Sequence, residues 1–227
     1  MAIAYVNNVG YINGAAPQSS SPYTPGGGNS ILAVISNRAG TGRTSSVTST
    51  VGSYGLLSSA NGLDSTTTFA FSSIAVPASA QTITANSTPT GDFVIMMPWE
   101  FSGVGSASAA SPTTASSSST TTNVISGAAS PTVPVGSALF AVCIDTTRAI
   151  GNNAIADAAA SSVYTNGFDT VGEVYTGAGA SITPKFTPSA ATATNYSIIQ
   201  FLLSPTVVAA LPFTQTKFFE TQTVWQQ

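Results

Sequence analysis

Few side chains in this sequence could do chemistry, and those that could are carboxylates, hydroxyls and one thiol. Glu100 stands out, flanked by Trp99 and Phe101 at the end of an apolar run. In a strand, side chains alternate across the sheet, so the two aromatics share one face and Glu100 takes the other. A buried carboxylate without a partner is costly. Glu100 is therefore expected either to accept a hydrogen bond from a turn backbone or to lie exposed at the strand end. As a catalytic acid it would need a second carboxylate about 5–10 Å away, as in glycosidases, and the sequence names none.

The other candidates are weaker. Asp145, Asp157, Asp169 and Glu173 fall in one stretch and offer the oxygen ligands that calcium takes, but no Asp-x-Asp-x-Asp-Gly loop exists. Cys143 lies inside the apolar run Leu139–Ile144 and reads as a small buried hydrophobe. There is no histidine to activate it, and one Cys without His cannot close a zinc tetrahedron. No Gly-x-Ser-x-Gly string is present. Gly26-Gly27-Gly28 lacks the lysine of a P-loop and reads as a flexible turn. No catalytic residue, cofactor or metal is expected.

Charge points the same way. Lys and Arg total 5, Asp and Glu total 8, and charged residues make up 6% of the 227, against about 25% in an average soluble domain. Ser and Thr occupy the vacated surface. Most enzyme chemistry at neutral pH runs through His, paired carboxylates, Lys or activated Cys. The composition therefore suits a protein that touches other surfaces, not an enzyme. Five scattered cations make no basic patch, so nucleic acid is not an expected partner. No apolar run approaches the roughly 20 residues of a membrane helix, and no secretory signal is read at the N-terminus. Low net charge gives little colloidal repulsion, which favours association into a homo-oligomer or a larger assembly.

The elements that must position these residues read as strands. Glycine and proline punctuate short runs rich in β-branched and aromatic residues, the signature of a sandwich or barrel. Four strands are strongly apolar: residues 30–36, 92–101, 137–145 and 195–203. Each begins with the same grammar, a turn residue and a small polar residue before the apolar run. Their lead-ins are Gly28-Asn29, Gly91-Asp92, Gly136-Ser137 and Thr194-Asn195. The spacing is uneven, so they are expected as central strands of two packed sheets and not as a solenoid. Thr44–Val51 reads as a half-exposed strand. The Ser/Ala/Thr stretch 106–122 reads as a low-complexity loop or an exposed edge strand. Ala154–Ala160 is the one helical candidate. Val171–Thr176 and Ile182–Phe186 read as a hairpin through Gly177-Ala178-Gly179. Tyr54, Tyr164, Phe168 and Tyr175 stand beside turn signals, where an exposed ring would stack on a sugar.

The expected architecture is an all-β antiparallel sandwich, jelly-roll or Ig-like, over residues 26–204. An extended N-terminal arm and linker (1–25) precedes it and a C-terminal extension (205–227) completes the chain. Candidate interface anchors are Tyr5 and Tyr11 in the arm and Phe213, Phe218, Phe219 and Trp225 in the tail. Arm and tail would lend strands or aromatic anchors to neighbours.

Several of these features in order resemble a β-sandwich module that recurs in tailed-phage virion structural proteins and in bacterial surface proteins. They are the Gly-Asn lead-in of Gly28–Ile35, the string Trp99-Glu100-Phe101-Ser102-Gly103-Val104, the Ser/Thr/Ala stretch after it and the strand Gly136–Ile144. The similarity spans roughly residues 26–203. It implies a virion protein made in the host cytoplasm, most simply a capsid decoration or cement protein. Its partners would then be the major capsid protein, other virion proteins or its own copies. The alternative it leaves open is a receptor- or glycan-binding module of a tail or head fibre. The resemblance implies no catalytic residue.

Overall fold

The computed structural model describes residues 2–40, 42–61, 67–110, 113–117, 125–145, 160, 162–165, 170–186 and 194–207. These contain seventeen strands and no helix. The first nine are β1 (Ala4–Asn8), β2 (Ile12–Ala15), β3 (Gln18–Ser19), β4 (Ser30–Asn37), β5 (Thr44–Ser49), β6 (Gly55–Asn61), β7 (Thr67–Ser73), β8 (Ile83–Thr88) and β9 (Phe93–Ser102). The other eight are β10 (Val104–Ala109), β11 (Thr113–Ser117), β12 (Ile125–Ser126), β13 (Ala138–Asp145), β14 (Ser162–Thr165), β15 (Thr170–Thr176), β16 (Lys185–Phe186) and β17 (Thr194–Pro205).

The apolar runs explain the layering. β4 is buried at every position, so both of its faces need cover. Leu32 and Val34 point one way, and Ile31, Ala33 and Ile35 point the other. The first pair joins Trp99 and Phe101 of β9 against Phe140 and Val142 of β13 and Phe201 and Leu203 of β17. The second set packs on Val47, Ile83 and Ala85 of a three-stranded sheet ordered β3-β8-β5. One large sheet runs β1-β9-β4-β7-β6, with β2 also on β9; the other runs β10-β17-β13-β15-β14, with β11 also on β17. The two pack face to face as an antiparallel β-sandwich. The outer face of the second carries Leu139, Ala141, Cys143 and Ile198 against Phe186 of the β12–β16 ribbon. The four strongest strands in the sequence are indeed the central ones, two in each large sheet.

The halves share one topology. Reading β10, β11, β12, β13, β14, β15, β16 and β17 as β1, β2, β3, β4, β6, β7, β8 and β9 reproduces every pairing, including β11 on β17 as β2 on β9. The isolated bridges agree too, Tyr23 with Gln81 and Val133 with Ala180. Gly28 and Gly136 hold the same left-handed lead-in, at φ 79° and 84°. Leu32 opposite Trp99 matches Phe140 opposite Phe201. Among the described residues only β5 lacks a counterpart. Equivalent faces of the two repeats meet in the central core, as in an isologous dimer interface.

Two expectations change, and a third resolves to one of its two readings. The N-terminal stretch is not an extended arm: β1 and β2 pair with β9, and β3 pairs with β8. Each pairs along one edge within the chain. Residues 171–186 are not a hairpin. β15 lies between β13 and β14, whereas β16 pairs with β12. The Gly177–Gly179 segment instead carries the chain between layers, with Gly177 N–H donating to Ser137 O and Gly179 N–H to Val133 O, both at 2.9 Å. The Ser/Ala/Thr stretch contributes edge strands β10 and β11 along β17. The helical candidate, save Ala160, lies outside the described residues.

Candidate functional site

Glu100 is 1% exposed and accepts two hydrogen bonds on Oε1, from Gly26 N–H at 2.7 Å and Asn29 Nδ2 at 2.5 Å. Strand alternation sends it to the face away from Trp99 and Phe101, as expected, and the glycine-rich turn is its partner. A Cβ added at Gly26 would stand 2.5 Å from Asn29 Nδ2 and push that amide off Glu100. Burial pushes the Glu100 carboxyl above its ordinary value, against the opposing pull of the Gly26 bond. The cluster locks a turn to a strand.

A second polar cluster is not apparent from the residue pattern. Asp92 Oδ2 accepts from Ser87 Oγ at 2.6 Å and Asn37 Nδ2 at 3.2 Å, with Arg43 Nε at 3.7 Å. Asn37 Nδ2 also donates to Ser45 and Ser87. The Ser87 hydrogen bond, aided by Asn37 and Arg43 against the cost of burial, holds the Asp92 carboxyl below its ordinary value. This network ties the three-stranded sheet to the ends of β4 and β9.

The two carboxyls should give pH effects of opposite sign. Asp92 stabilises the fold above its ordinary pKa of 3.8, and that contribution fades as pH falls through its lower folded value. Glu100 binds its proton more tightly folded than unfolded, so its contribution is present below 4.5 and is lost as pH rises through the raised folded value. Thermal melts across pH check this. Relative to the parent, Glu100→Gln should gain stability as pH rises from about 4.5 towards neutrality. Asp92→Asn should be less stable than the parent at neutral pH, and the gap should narrow in acid. Parallel pH curves for all three proteins would contradict it.

The outer face of the β3-β8-β5 sheet is built from hydroxyls and amides. Thr48 stands opposite Thr84, and Ser46 opposite Asn86. Asn86 Nδ2 donates to Thr48 Oγ1 at 3.0 Å, and Ser19 and Thr84 hydroxyls meet at 2.8 Å. None of the three strands carries a charged residue. β5 ends this sheet, leaving one strand edge without a sheet partner among the described residues.

A cleft of about 640 Å³ opens at the end of the sandwich where β1, the start of β13 and the end of β17 meet. Ala2, Tyr5, Ala138, Val174 and Val207 give it an apolar lining. Of the expected interface anchors, Tyr5 lines this cleft and rests edge-on against Phe101 at 5.9 Å, while Tyr11 packs on the central core. Phe213, Phe218, Phe219 and Trp225 lie outside the described residues. Of the sugar-stacking candidates, Tyr175 is 4% exposed and donates to Glu173, and Tyr54 packs into the core beneath the three-stranded sheet. Burial raises the Tyr54 hydroxyl pKa. Phe168 and the Tyr164 side chain lie outside the described residues. Cys143 is buried as expected. Among the described residues no three His, Cys, Asp or Glu side chains gather as a metal site, and no helix is long and apolar enough to cross a membrane. Asp157 and Asp169 lie outside those residues. Comparison with protein-family models, with curated proteins and with solved structures finds no match for this chain.

Proposed function

We propose that this protein is a non-enzymatic structural component of a tailed-phage virion, a decoration or cement subunit that holds a shell through protein–protein contacts. The observation that carries the reading is the charge-free hydroxyl and amide face of the β3-β8-β5 sheet with the open edge of β5 beside it. Such a surface suits β-augmentation, in which a neighbour's strand pairs with the open edge. Its partners would be capsid subunits or further copies of the chain, and many symmetric copies would make weak contacts strong. The double-sided burial of both large sheets supports a rigid binding body. The order of sequence features shared with virion sandwich modules supports the setting.

The test is addition of purified protein to shells that lack it, with copies counted by electron microscopy. Saturation at hundreds of copies favours decoration; a few copies at a vertex favours a fibre component. Binding should persist at ~1 M salt, where the Debye length is about 3 Å, because none of the three strands carries a charged residue. Ser46→Lys with Thr48→Lys should weaken binding more than tenfold while leaving the melt unchanged. Release by salt, or undiminished binding of the double variant, would overturn the surface assignment.

A further inference from the structure

We propose that the open edge of β5 pairs with the same edge of a second copy of this chain, antiparallel about a two-fold axis at Val47. The inference rests on the β5 edge being an interface, as in the function proposed above, and names its partner. β5 keeps an unbroken register with β8 from Thr44 to Ser49. Just beyond it, Thr50 N–H donates to Thr82 O at 3.3 Å. Backbone groups alternate in direction along an antiparallel strand, so those of Thr44, Ser46 and Thr48 face β8. Those of Ser45, Val47 and Ser49 face the other way, where no strand pairs with β5 among the described residues. Folded proteins blunt such edges with short strands, charges, proline or bulges. Here β1, β6 and β10 each shift register once, and β3 has two residues. β5 has no charge and no proline, and it is the longest edge strand of the described residues that keeps its register.

Charge and register favour a second copy over a foreign strand. A two-fold axis sets this edge against itself, so charges of one sign on it would meet their like, which destabilises a strand pair. β5 carries none. Centring the axis on Val47 places Ser45 opposite the second copy's Ser49 and Val47 opposite its own counterpart. All three outward-facing residues then find backbone partners, whereas an axis at Ser46 would engage only Ser45 and Val47. The pairing also keeps each side chain on its own face. Val47 is 4% exposed and packs with Ile83 and Ala85 in the core beneath the sheet, and it meets Val47 of the second copy on that inner side. Exposed Ser46 meets Thr48 on the outer side, a hydroxyl pair like that of Thr48 and Thr84 within the sheet. Two three-stranded sheets become one of six, and their hydroxyl faces become continuous. The contact is isologous, as two-fold dimers require.

Sedimentation equilibrium of the full chain tests it. The parent should be a dimer at micromolar concentration. Ser46→Lys with Thr48→Lys sets like charges across the axis and should raise the dimer Kd at least about tenfold. Ser46→Lys with Thr48→Glu sets opposite charges there and should restore the dimer, a rescue that pairing with a foreign strand would not give. Circular dichroism should show both variants folded as the parent is. Amides of Ser45, Val47 and Ser49 should exchange at least about tenfold more slowly in the parent than in the double-lysine variant. A dimer that survives the two lysines would lie on another face and overturn the proposal, and so would a failed rescue in the folded lysine–glutamate variant. A monomeric parent with unprotected β5 amides would overturn it as well. If that monomer still binds shells, the function proposed above stands, with a partner other than a second copy.

Discussion

Replacing Phe140 with alanine should cost about 3–5 kcal/mol of stability. Its ring meets Phe101 at 4.9 Å, Trp99 at 5.1 Å and Phe201 at 5.7 Å. Two of those partners come from the first repeat and one from the second, so this ring sits in the contact that joins the halves. The upper part of the range is expected because the site cannot collapse. Gly172 lies against the ring, where an added Cβ would be 3.0 Å from Phe140 Cε2. No side chain at that position can fill the void left by the ring. Urea unfolding gives the measurement. The transition should stay single, because neither large sheet keeps both faces covered once the halves part. A loss below about 1 kcal/mol would show that the halves are not held through this contact.

Gly103→Ala is the second large effect, expected at about 2–4 kcal/mol from left-handed strain and overpacking together. Gly103 holds φ at 73° where the chain leaves β9 for the opposite sheet. A Cβ there would stand 2.3 Å from Ala2 O and 3.0 Å from Ala2 C. That is backbone, so the neighbour cannot rotate away, and β1 must shift along β9. Gly136→Ala is the control. Its φ of 84° imposes similar conformational strain, but nothing lies within 4 Å of its added Cβ. Amide exchange over Ala4–Asn8 should speed up in Gly103→Ala and stay unchanged in Gly136→Ala. Equal losses in both variants would mean that strain alone, and not the packing of β1, governs the position.

How legible each strand is in the sequence depends on how far its own side chains set its place. β4, β9, β13 and β17 are legible because both of their faces are buried and their runs are predominantly apolar. β1, β2 and β3 are edge elements whose faces are partly exposed. Their place is set by pairing to β9 and β8, which leaves little trace in side-chain type. The repeat is half visible in the four matching lead-ins. The rest is hidden because equivalent positions hold unlike residues: Trp99 and Phe201, Glu100 and Leu202, Ile74 and Thr176. Burial and backbone geometry are repeated where side-chain identity is not. The Glu100 clamp is legible in kind, a carboxylate on a turn backbone, but no residue pattern links it to the glycine-rich turn some seventy positions earlier. The Asp92 network leaves no such trace at all, because its members come from β4, β8 and the start of β9 and meet only after the small sheet folds over the large one.

The pairing of β1 with β9 has a consequence for the order of the chain. In the succession of repeats, β10 comes after β9 and crosses to the edge of the second large sheet. A strand placed after β17 in the same manner would cross to the edge beside β9, and β1 already lies there. The two repeats thus form a closed circuit, and the cut in that circuit falls where Ala2 and Val207 flank one cleft. To the fold, it makes no difference which repeat is read first. It also means that the edge of β9 on which a further strand would add in that register is already taken by β1.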